Sequence, residues 1–289
     1  MTTLRFKQVD VFTDRPFRGN PVAVVLGADA LATEDMQRIA AWTNLSETTF
    51  VLAPTKPGAH YRLRIFTPRD ELPFAGHPTI GSAHAVLEAG VAKAEGGALR
   101  QECAAGVISL SVEGERLWAR APEARVTRLD ARYVPGLEEA LGAPVAGQPQ
   151  VVSVGPTWLV ADLGDASRVD LLMPEMAGIA KLSAPLGLTG VTVFGATGER
   201  APGGAAIHVR SFAPAHGIPE DPVCGSGNVS VAAYLARTGL AARIGSEYVA
   251  RQGMQLGRDG RVAIRIGAGG AIDFGGRAVT CVDGTVRVA

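Results

Sequence analysis

The chain has 289 residues, a length that suits two domains of ordinary size or one large domain. Its 28 basic and 28 acidic side chains cancel without runs of either sign, which argues against nucleic-acid or membrane-surface partners. There is no stretch of eighteen apolar residues, no apolar signal segment at the start and no CxxC pair among three cysteines. We therefore expect a reduced, cytoplasmic protein without a membrane span.

The first half alternates strands with two helices. Alternating apolar residues predict strands at 4–13, 21–26, 45–52 and 61–66, and a hairpin at 106–110 and 116–119. Thr33 is predicted to be the N-cap of a short helix that ends near Asn44. A second helix, at about 76–88, is apolar nearly all round, which predicts that it is buried.

The second half repeats this order. Strands are predicted near 151–154, 158–163, 191–194 and 207–212, followed by a buried helix over about 229–237 that ends at Gly239. Three further strands are predicted at 262–266, 278–282 and 285–288. Asp283-Gly284 predicts a hairpin turn between the last two.

One stretch, residues 218–228, is typical of a rigid turn that delivers Cys224 to the first turn of a helix. Pro219 and Pro222 fix φ and keep the residues before them extended. Small residues then leave backbone N–H groups uncovered. Because a helix N-terminus binds anions and lowers the pKa of a thiol, we expect the chemistry here.

The sequence also contains an internal repeat. Arg-Ile-Phe-Thr-Pro at 64–68 resembles Arg-Ser-Phe-Ala-Pro at 210–214, at an offset of 146 (212 − 66), and a glycine turn and buried helix follow both. Chance similarity over some thirty residues is the alternative to a duplication. The duplication predicts two α+β halves, 1–121 and 122–289, each with one such helix. The last strand, near 280–289, could pack with the first half.

Several motifs together resemble the PhzF-like isomerase family of phenazine biosynthesis. They are QVDVFT at 8–13, GNP at 19–21, NLSET at 44–48, FTP at 66–68, ELPFAGHPT at 71–79 and EDPVCGS at 220–226. The resemblance implies an α+β fold of two pseudo-symmetric diaminopimelate-epimerase-like domains, each a sheet wrapped around a central helix, with the active site in the cleft between domains. It also implies cofactor-independent proton transfer at carbon and a homodimer.

Glu47 is predicted to lie at the start of a strand, where an ordinary exposed glutamate is the alternative interpretation. Its setting resembles that of the family's catalytic acid/base. A carboxyl in a closing apolar cleft would have a raised pKa and could both take and return a proton.

Cys224 could be a buried structural thiol or a reactive one, and its place at a helix start favours the reactive form. The family's phenazine enzymes carry threonine here, whereas related epimerases carry cysteine as a base. Ala75 stands at the matching place in the first half, so a symmetric two-thiol epimerase is disfavoured. A mixed pair of Glu47 and Cys224 remains open.

The resemblance further implies substrate contacts for a set of residues around these two. They are Asn20, Ser46, Gly76, His77, Asp221, Gly225 and Ser226. The backbone N–H groups of the two helix starts would hold a carboxylate. Ordinary turn or capping roles are the alternatives for His77 and Asp221.

Other chemistries lack support in the sequence. The histidines show no metal-ligand spacing, and neither a dinucleotide fingerprint nor a phosphate loop is present. We therefore expect no metal and no cofactor. The resemblance implies a small carboxylate substrate such as the family's trans-2,3-dihydro-3-hydroxyanthranilate. The alternatives are a racemase or epimerase with Cys224 as second base, and a binding protein without turnover.

Overall fold

A computed structural model of the chain describes residues 2–198 and 204–288. The chain forms two compact units. The first consists of Met1–Arg120 together with Gly275–Ala289, and the second of Ala121–Phe274.

Strands provide most of the regular structure. They are β1 (Thr2–Val11), β2 (Asn20–Leu26), β3 (Thr48–Leu52), β4 (Tyr61–Phe66), β5 (Glu71–Leu72), β6 (Ala98–Cys103), β7 (Gly106–Glu113), β8 (Arg116–Arg120), β9 (Arg125–Arg128), β10 (Gln150–Ser153), β11 (Thr157–Asp165), β12 (Gly190–Ala196), β13 (Ile207–Ala213), β14 (Ile218–Asp221), β15 (Glu247–Gln252), β16 (Gly260–Ile266), β17 (Ile272–Gly276) and β18 (Ala278–Val288).

In the part of the chain that the structure describes, seven α-helices lie between these strands. They are α1 (Thr33–Thr43), α2 (Gly76–Glu88), α3 (Val134–Leu141), α4 (Ala166–Asp170), α5 (Met176–Ser183), α6 (Gly225–Thr238) and α7 (Ala241–Ile244). Within the described residues, none of these helices combines the length and the hydrophobicity that a membrane crossing requires.

In the first unit, β1 pairs antiparallel with both β18 and β2, and β2 then pairs parallel with β3. The next pairings are β3 with β4 antiparallel, β4 with β6 parallel, and β6 with β7 and β7 with β8 antiparallel. The short strand β5 pairs antiparallel with β4.

The second unit repeats this topology. An antiparallel pair, β10 with β11, is followed by parallel β11 with β12 and antiparallel β12 with β13. The strand β13 then pairs antiparallel with the short β14 and parallel with β15, and β15 pairs antiparallel with β16. Strand for strand, the two units therefore have the same order, as the internal repeat predicts.

In each unit the strands are covered on one face by the unit's long helix, as the apolar sequences predict. Nine of the thirteen residues of α2 and ten of the fourteen of α6 are buried. The approach is close at Gly81, where an added Cβ would lie 2.4 Å from Val22 Cγ1 and 2.7 Å from Val11 Cγ2. Glycine at this position lets α2 contact β1 and β2 directly.

The opposite faces carry shorter helices. In the first unit, Met36 and Ala40 of α1 pack against Val25, Phe50 and Phe66. In the second unit, α3 and α5 pack on apolar side chains of β11 and β12. Neither α3 nor α5 is predicted from the sequence, because both are short, and a sequence pattern of eight residues is too brief to identify a helix.

The predicted N-cap at Thr33 is wrong. The N-cap is Ala32, and Thr33 is the first helical residue. Its hydroxyl instead accepts a hydrogen bond of 3.0 Å from the Arg64 guanidinium. The predicted helix end is confirmed, because Asn44 is the C-cap in the left-handed conformation.

The predicted hairpin at Asp283-Gly284 is also wrong. Residues 278–288 form one continuous strand, β18, which pairs with β1 along its length. Asp283 lies opposite Lys7, and its carboxylate accepts a 2.6 Å hydrogen bond from the Lys7 ammonium. Pairing with β1 therefore determines the conformation here, in place of the local turn preference.

Candidate active site

Glu47 lies one residue before β3, where the parallel pairing with β2 begins, and not within the strand as predicted. Its carbonyl oxygen accepts a 3.4 Å hydrogen bond from the N–H of Ala23. The side chain is 16% exposed, so most of it is removed from solvent. A largely buried carboxyl thus lies directly before the first residue of β3.

His77 lies in the first turn of α2 and is 7% exposed. Its Nδ1 is 3.4 Å from Glu47 Oε2. Burial lowers the pKa of the His77 imidazole to about 4, and a hydrogen bond with the Pro21 backbone opposes this shift only in part. The ring is therefore neutral at neutral pH, and it lies beside the carboxyl of Glu47 without forming a permanent ion pair with it.

The other predicted substrate residues of the first unit surround this pair. Asn20 begins β2, is fully buried, and directly precedes the Pro21 that contacts His77. Ser46 directly precedes Glu47 in the chain. Gly76 is the first residue of α2, and the N-cap Ala75 has no side chain that can bond the first-turn N–H groups. These amides remain available to a carboxylate.

In the second unit, Cys224 is the N-cap of α6. Its Sγ accepts a 3.2 Å hydrogen bond from the N–H of Gly227 and lies 3.6 Å from Ser226 Oγ. Ser226 is held in turn by the indole N–H of Trp158, which donates to its hydroxyl at 3.0 Å. The thiol therefore occupies the position that a serine hydroxyl takes in an ordinary helix cap.

The electrostatics of Cys224 differ from what a helix N-terminus alone predicts. Burial, followed by the charge of Asp221, raises the pKa of the thiol well above its ordinary value, although hydrogen bonds from Ser226, Gly227 and Ser211 oppose the shift. This site therefore does not stabilise a thiolate at neutral pH. The expectation from the sequence that this thiol has a low pKa is wrong, because the effect of burial on the pKa outweighs that of the helix N-terminus.

Asp221 ends β14 and lies close to this thiol. Burial raises the pKa of its carboxyl to about 6, and hydrogen bonds from Cys224 and the Val223 backbone oppose the shift. Val223 N–H donates to Asp221 Oδ1 at 3.0 Å. Within the second unit, the structure thus brings together Asp221, Cys224 and Ser226, while Gly225 supplies the first residue of α6.

No metal site is apparent in residues 2–198 and 204–288, which contain no group of three or more His, Cys, Asp or Glu side chains arranged around a common point. All three cysteines are free thiols. The polar groups at the starts of α2 and α6 are hydrogen-bond donors, acceptors and proton carriers, which suits acid/base chemistry on a small organic substrate.

Sequence reasoning missed two side chains that support the Cys224 group. Trp158 on β11 holds Ser226, and Gln252 on β15 holds the turn before α6. Nothing local in the sequence distinguishes this tryptophan from an ordinary core residue. Gln252 could have been noticed through the repeat, because Gln101 occupies the related strand of the first unit.

The duplicated α+β topology, with one buried helix in each unit, defines a protein of the epimerase-like fold class. A crystal structure of the Bacillus anthracis phenazine biosynthesis protein of the PhzF family has the same fold. The two chains superpose with a TM-score of 0.86 at 25% identity, covering 100% of both. The predicted α+β epimerase-like fold is confirmed.

The sequence comparisons agree with the structural one. The pattern of the PhzC-PhzF family, described as "Phenazine biosynthesis-like protein", matches residues 9–284. The chain therefore belongs to this family, as the motifs predict.

Antisense-enhancing sequence 1 of Schizosaccharomyces pombe is 40% identical, over 98% of this chain and 99% of that protein. The trans-2,3-dihydro-3-hydroxyanthranilate isomerase of Pseudomonas aeruginosa is 32% identical, over 97% and 98%. The prediction of an isomerase is confirmed at the level of class.

Proposed function

We propose that the protein moves a proton between carbon atoms of a small amino or hydroxy acid, with Glu47 as the acid/base. The carboxylate of Glu47 takes a proton from a carbon next to an unsaturated or carboxylate-bearing centre. The electron pair of the broken C–H bond shifts into the adjacent π system, and Glu47 returns the proton to a different carbon. Nothing is oxidised or reduced, so the net change is an isomerisation.

The observation that carries this proposal is the pairing of Glu47 with His77 at the start of α2. One carboxyl oxygen lies 3.4 Å from the imidazole nitrogen, and both side chains are largely buried. A neutral imidazole can hold the carboxyl in one orientation while leaving it free to exchange its proton. In an isomerase of this family, such a pair suits reversible proton transfer better than an exposed ion pair would.

Substrate binding is assigned to the helix starts and the residues next to them. The uncapped first-turn amides of α2 suit a carboxylate, and His77, Asn20 and Ser46 offer further polar contacts. From the second unit we assign Asp221, Gly225 and Ser226 to the same role, with Asp221 suited to an amine or hydroxyl. The same amide groups would stabilise the enolate-like charge that forms when the proton leaves.

Proton NMR in deuterated water tests the proposal. A panel of small amino and hydroxy acids, including trans-2,3-dihydro-3-hydroxyanthranilate, is incubated with the wild-type protein and with Glu47→Gln. We expect deuterium at carbon with the wild type, and a loss of at least about 10²-fold with Glu47→Gln, since one general base supplies roughly that much. Circular dichroism shows whether the variant is folded. Undiminished exchange by the folded variant would remove Glu47 from the mechanism.

A racemase or epimerase activity is the second candidate, favoured by the hydrogen bond between the Cys224 thiol and Asp221. A thiol that stays protonated beside a carboxyl is suited to deliver a proton rather than to act as a free nucleophile. In that case deuterium enters a stereocentre with inversion, and Cys224→Ser lowers the rate while Glu47→Gln abolishes it. Tight ligand binding without exchange at any carbon would instead identify a binding protein.

The proposal extends to how the protein works in the cell. We propose that catalysis needs neither metal nor cofactor, since proton transfer between carbons can be carried by the chain's own carboxyl and thiol groups. We also propose a cytoplasmic homodimer that has no nucleic-acid partner. The equal numbers of basic and acidic residues are consistent with the last part, because a nucleic-acid interface calls for a basic surface.

A further inference from the structure

Gln252 at the end of β15 is fully buried, and its side-chain amide binds the backbone of the turn before α6 at two points. Its Nε2 donates to the carbonyl oxygen of Asp221 at 3.0 Å, and its Oε1 accepts from the N–H of Cys224 at 3.1 Å. One planar amide thus bridges the two ends of the four-residue turn that carries both functional side chains.

A second buried amide completes this network. Asn228, in the first turns of α6, donates from Nδ2 to Gln252 Oε1 and to the carbonyl oxygen of Cys224, both at 2.8 Å. Gln252 Oε1 therefore accepts two hydrogen bonds while its Nε2 donates one, which determines the orientation of the amide. A group this thoroughly bonded and buried holds its partners in one geometry, because releasing any of them leaves a buried polar group unpaired.

The duplicated fold provides an internal comparison. Gln101 on β6 is also fully buried, and β6 pairs with β4 in parallel as β15 pairs with β13. Gln101 donates to Thr79 Oγ1 on α2 at 3.2 Å and accepts from the hydroxyl of Tyr61 at 2.9 Å. These bonds join strand and helix. None of the hydrogen bonds that the structure describes for Gln101 reaches the turn before α2.

We propose that Gln252 is a positioning residue of the active site, which fixes Asp221 and Cys224 through their backbone atoms. The role rests on the proposed function, because Asp221 and Cys224 matter to catalysis only if substrate binds there. The contrast with Gln101 separates positioning from simple core stability. Both glutamines satisfy buried partners, but only Gln252 holds the residues that act on the substrate.

The test compares Gln252→Met with Gln101→Met. Methionine has nearly the same size and keeps each site filled, while the amide hydrogen bonds are lost. Backbone amide hydrogen exchange is followed by NMR at Cys224, together with the thermal midpoint of each variant. We expect the thermal midpoint to fall by a similar amount in both variants. Relative to the wild type, amide exchange at Cys224 should be faster by about tenfold or more in Gln252→Met and unchanged in Gln101→Met. This readout needs no substrate, so it stands even if the proposed isomerase activity is not found.

Turnover supplies the second readout. If deuterium exchange into trans-2,3-dihydro-3-hydroxyanthranilate is observed with the wild type, Gln252→Met should slow it by about tenfold more than Gln101→Met. Should Gln252→Met not fold, Gln252→Glu replaces it, because glutamate keeps the acceptor for Cys224 N–H but as a carboxylate lacks the donor for the Asp221 carbonyl. It should keep exchange at Cys224 slow, so turnover relative to Gln101→Met is the test for this variant. Equal Cys224 exchange in Gln252→Met and Gln101→Met, or equal turnover in Gln252→Glu and Gln101→Met, would overturn the proposal.

Discussion

The thiol of Cys224 and the carboxyl of Asp221 illustrate how burial changes the chemistry of individual residues. The helix terminus favours an anion at Cys224, yet removal from water raises the pKa of both groups. The thiol is therefore protonated at neutral pH, and the pKa of the Asp221 carboxyl is raised to about 6. Asp221 is the residue through which pH should act on this part of the protein.

Replacement of Asp221 by asparagine should remove a pH dependence of stability. The folded-state pKa of about 6 lies above the ordinary value of 3.8, so the folded protein holds this proton more tightly. Its contribution to stability is present below pH ~4 and is lost as the pH rises through about 6. At pH 7 the Asp221→Asn variant should be more stable than the wild type by at most about 2–3 kcal/mol. Asparagine keeps the acceptor for Val223 N–H.

Urea unfolding at several pH values between 4 and 7 measures this difference. At each pH, the free energy of unfolding of the wild type is subtracted from that of the variant. The difference cancels the titration of other groups, including the buried His77, whose lowered pKa affects stability in the opposite direction. Parallel stability curves for wild type and variant would show that Asp221 has an ordinary pKa in the folded state.

Among the helices, α2 depends on close approach of its backbone to the strands. Gly81 faces Val11 and Val22 with no room for a Cβ atom. This contact also positions the first turn of α2, and hence His77, relative to Asn20 at the start of β2 and Glu47 before β3. The geometry of the Glu47–His77 pair therefore depends on the close packing at Gly81.

Gly81→Ala should destabilise the protein by about 1–3 kcal/mol, because the added methyl group forces α2 away from β1 and β2. Gly136→Ala in α3 is the matched control, since an added Cβ there meets nothing within 4 Å. That substitution should stabilise α3 by up to about 1 kcal/mol through helix propensity alone. Chemical unfolding of both variants gives the comparison. A stabilising effect at both positions would show that α2 has room to move.

At the scale of the whole molecule, the first unit is assembled from the two ends of the chain. The strand β18 pairs with β1 from Val288 opposite Thr2 to Ala278 opposite Val11. The nearly inaccessible ammonium of Lys7 lies between the carboxylates of Asp283 on β18 and Glu88 on α2, at 2.6 and 2.8 Å. The carboxylates raise the pKa of Lys7 even though desolvation acts against them.

A chain ending at Arg277 should therefore fail to fold its first unit. It loses the partner of β1 along ten residue pairs and leaves Lys7 with one carboxylate, against a total stability of only about 5–15 kcal/mol. Limited proteolysis should cut residues 1–120 rapidly and leave the second unit, which is one continuous segment, more resistant. Asp283→Asn controls for the ion pair alone and should keep the first unit folded. Slow cleavage of the truncated chain would contradict this account.

Much of the architecture could be predicted because it depends on local pattern. The apolar sequence of α2 and α6 predicts buried helices, and the repeated Phe-x-Pro and glycine positions predict two related halves. Motifs around Glu47 and Cys224 indicate the family and the candidate site residues. Glu47, His77 and Cys224 are all chemically distinctive residues in short, recognisable segments.

Only the tertiary structure decided how distant segments pair and how strongly each ionisable group is buried. Asp283-Gly284 has the sequence of a turn, but the long ladder with β1 makes it part of one strand. Cys224 has the position of an activated thiol, but burial beside Asp221 keeps it protonated. Local sequence determines helix and turn preferences, whereas desolvation and strand pairing depend on atoms far away in the chain. The role of Gln252 likewise became apparent only from its contacts.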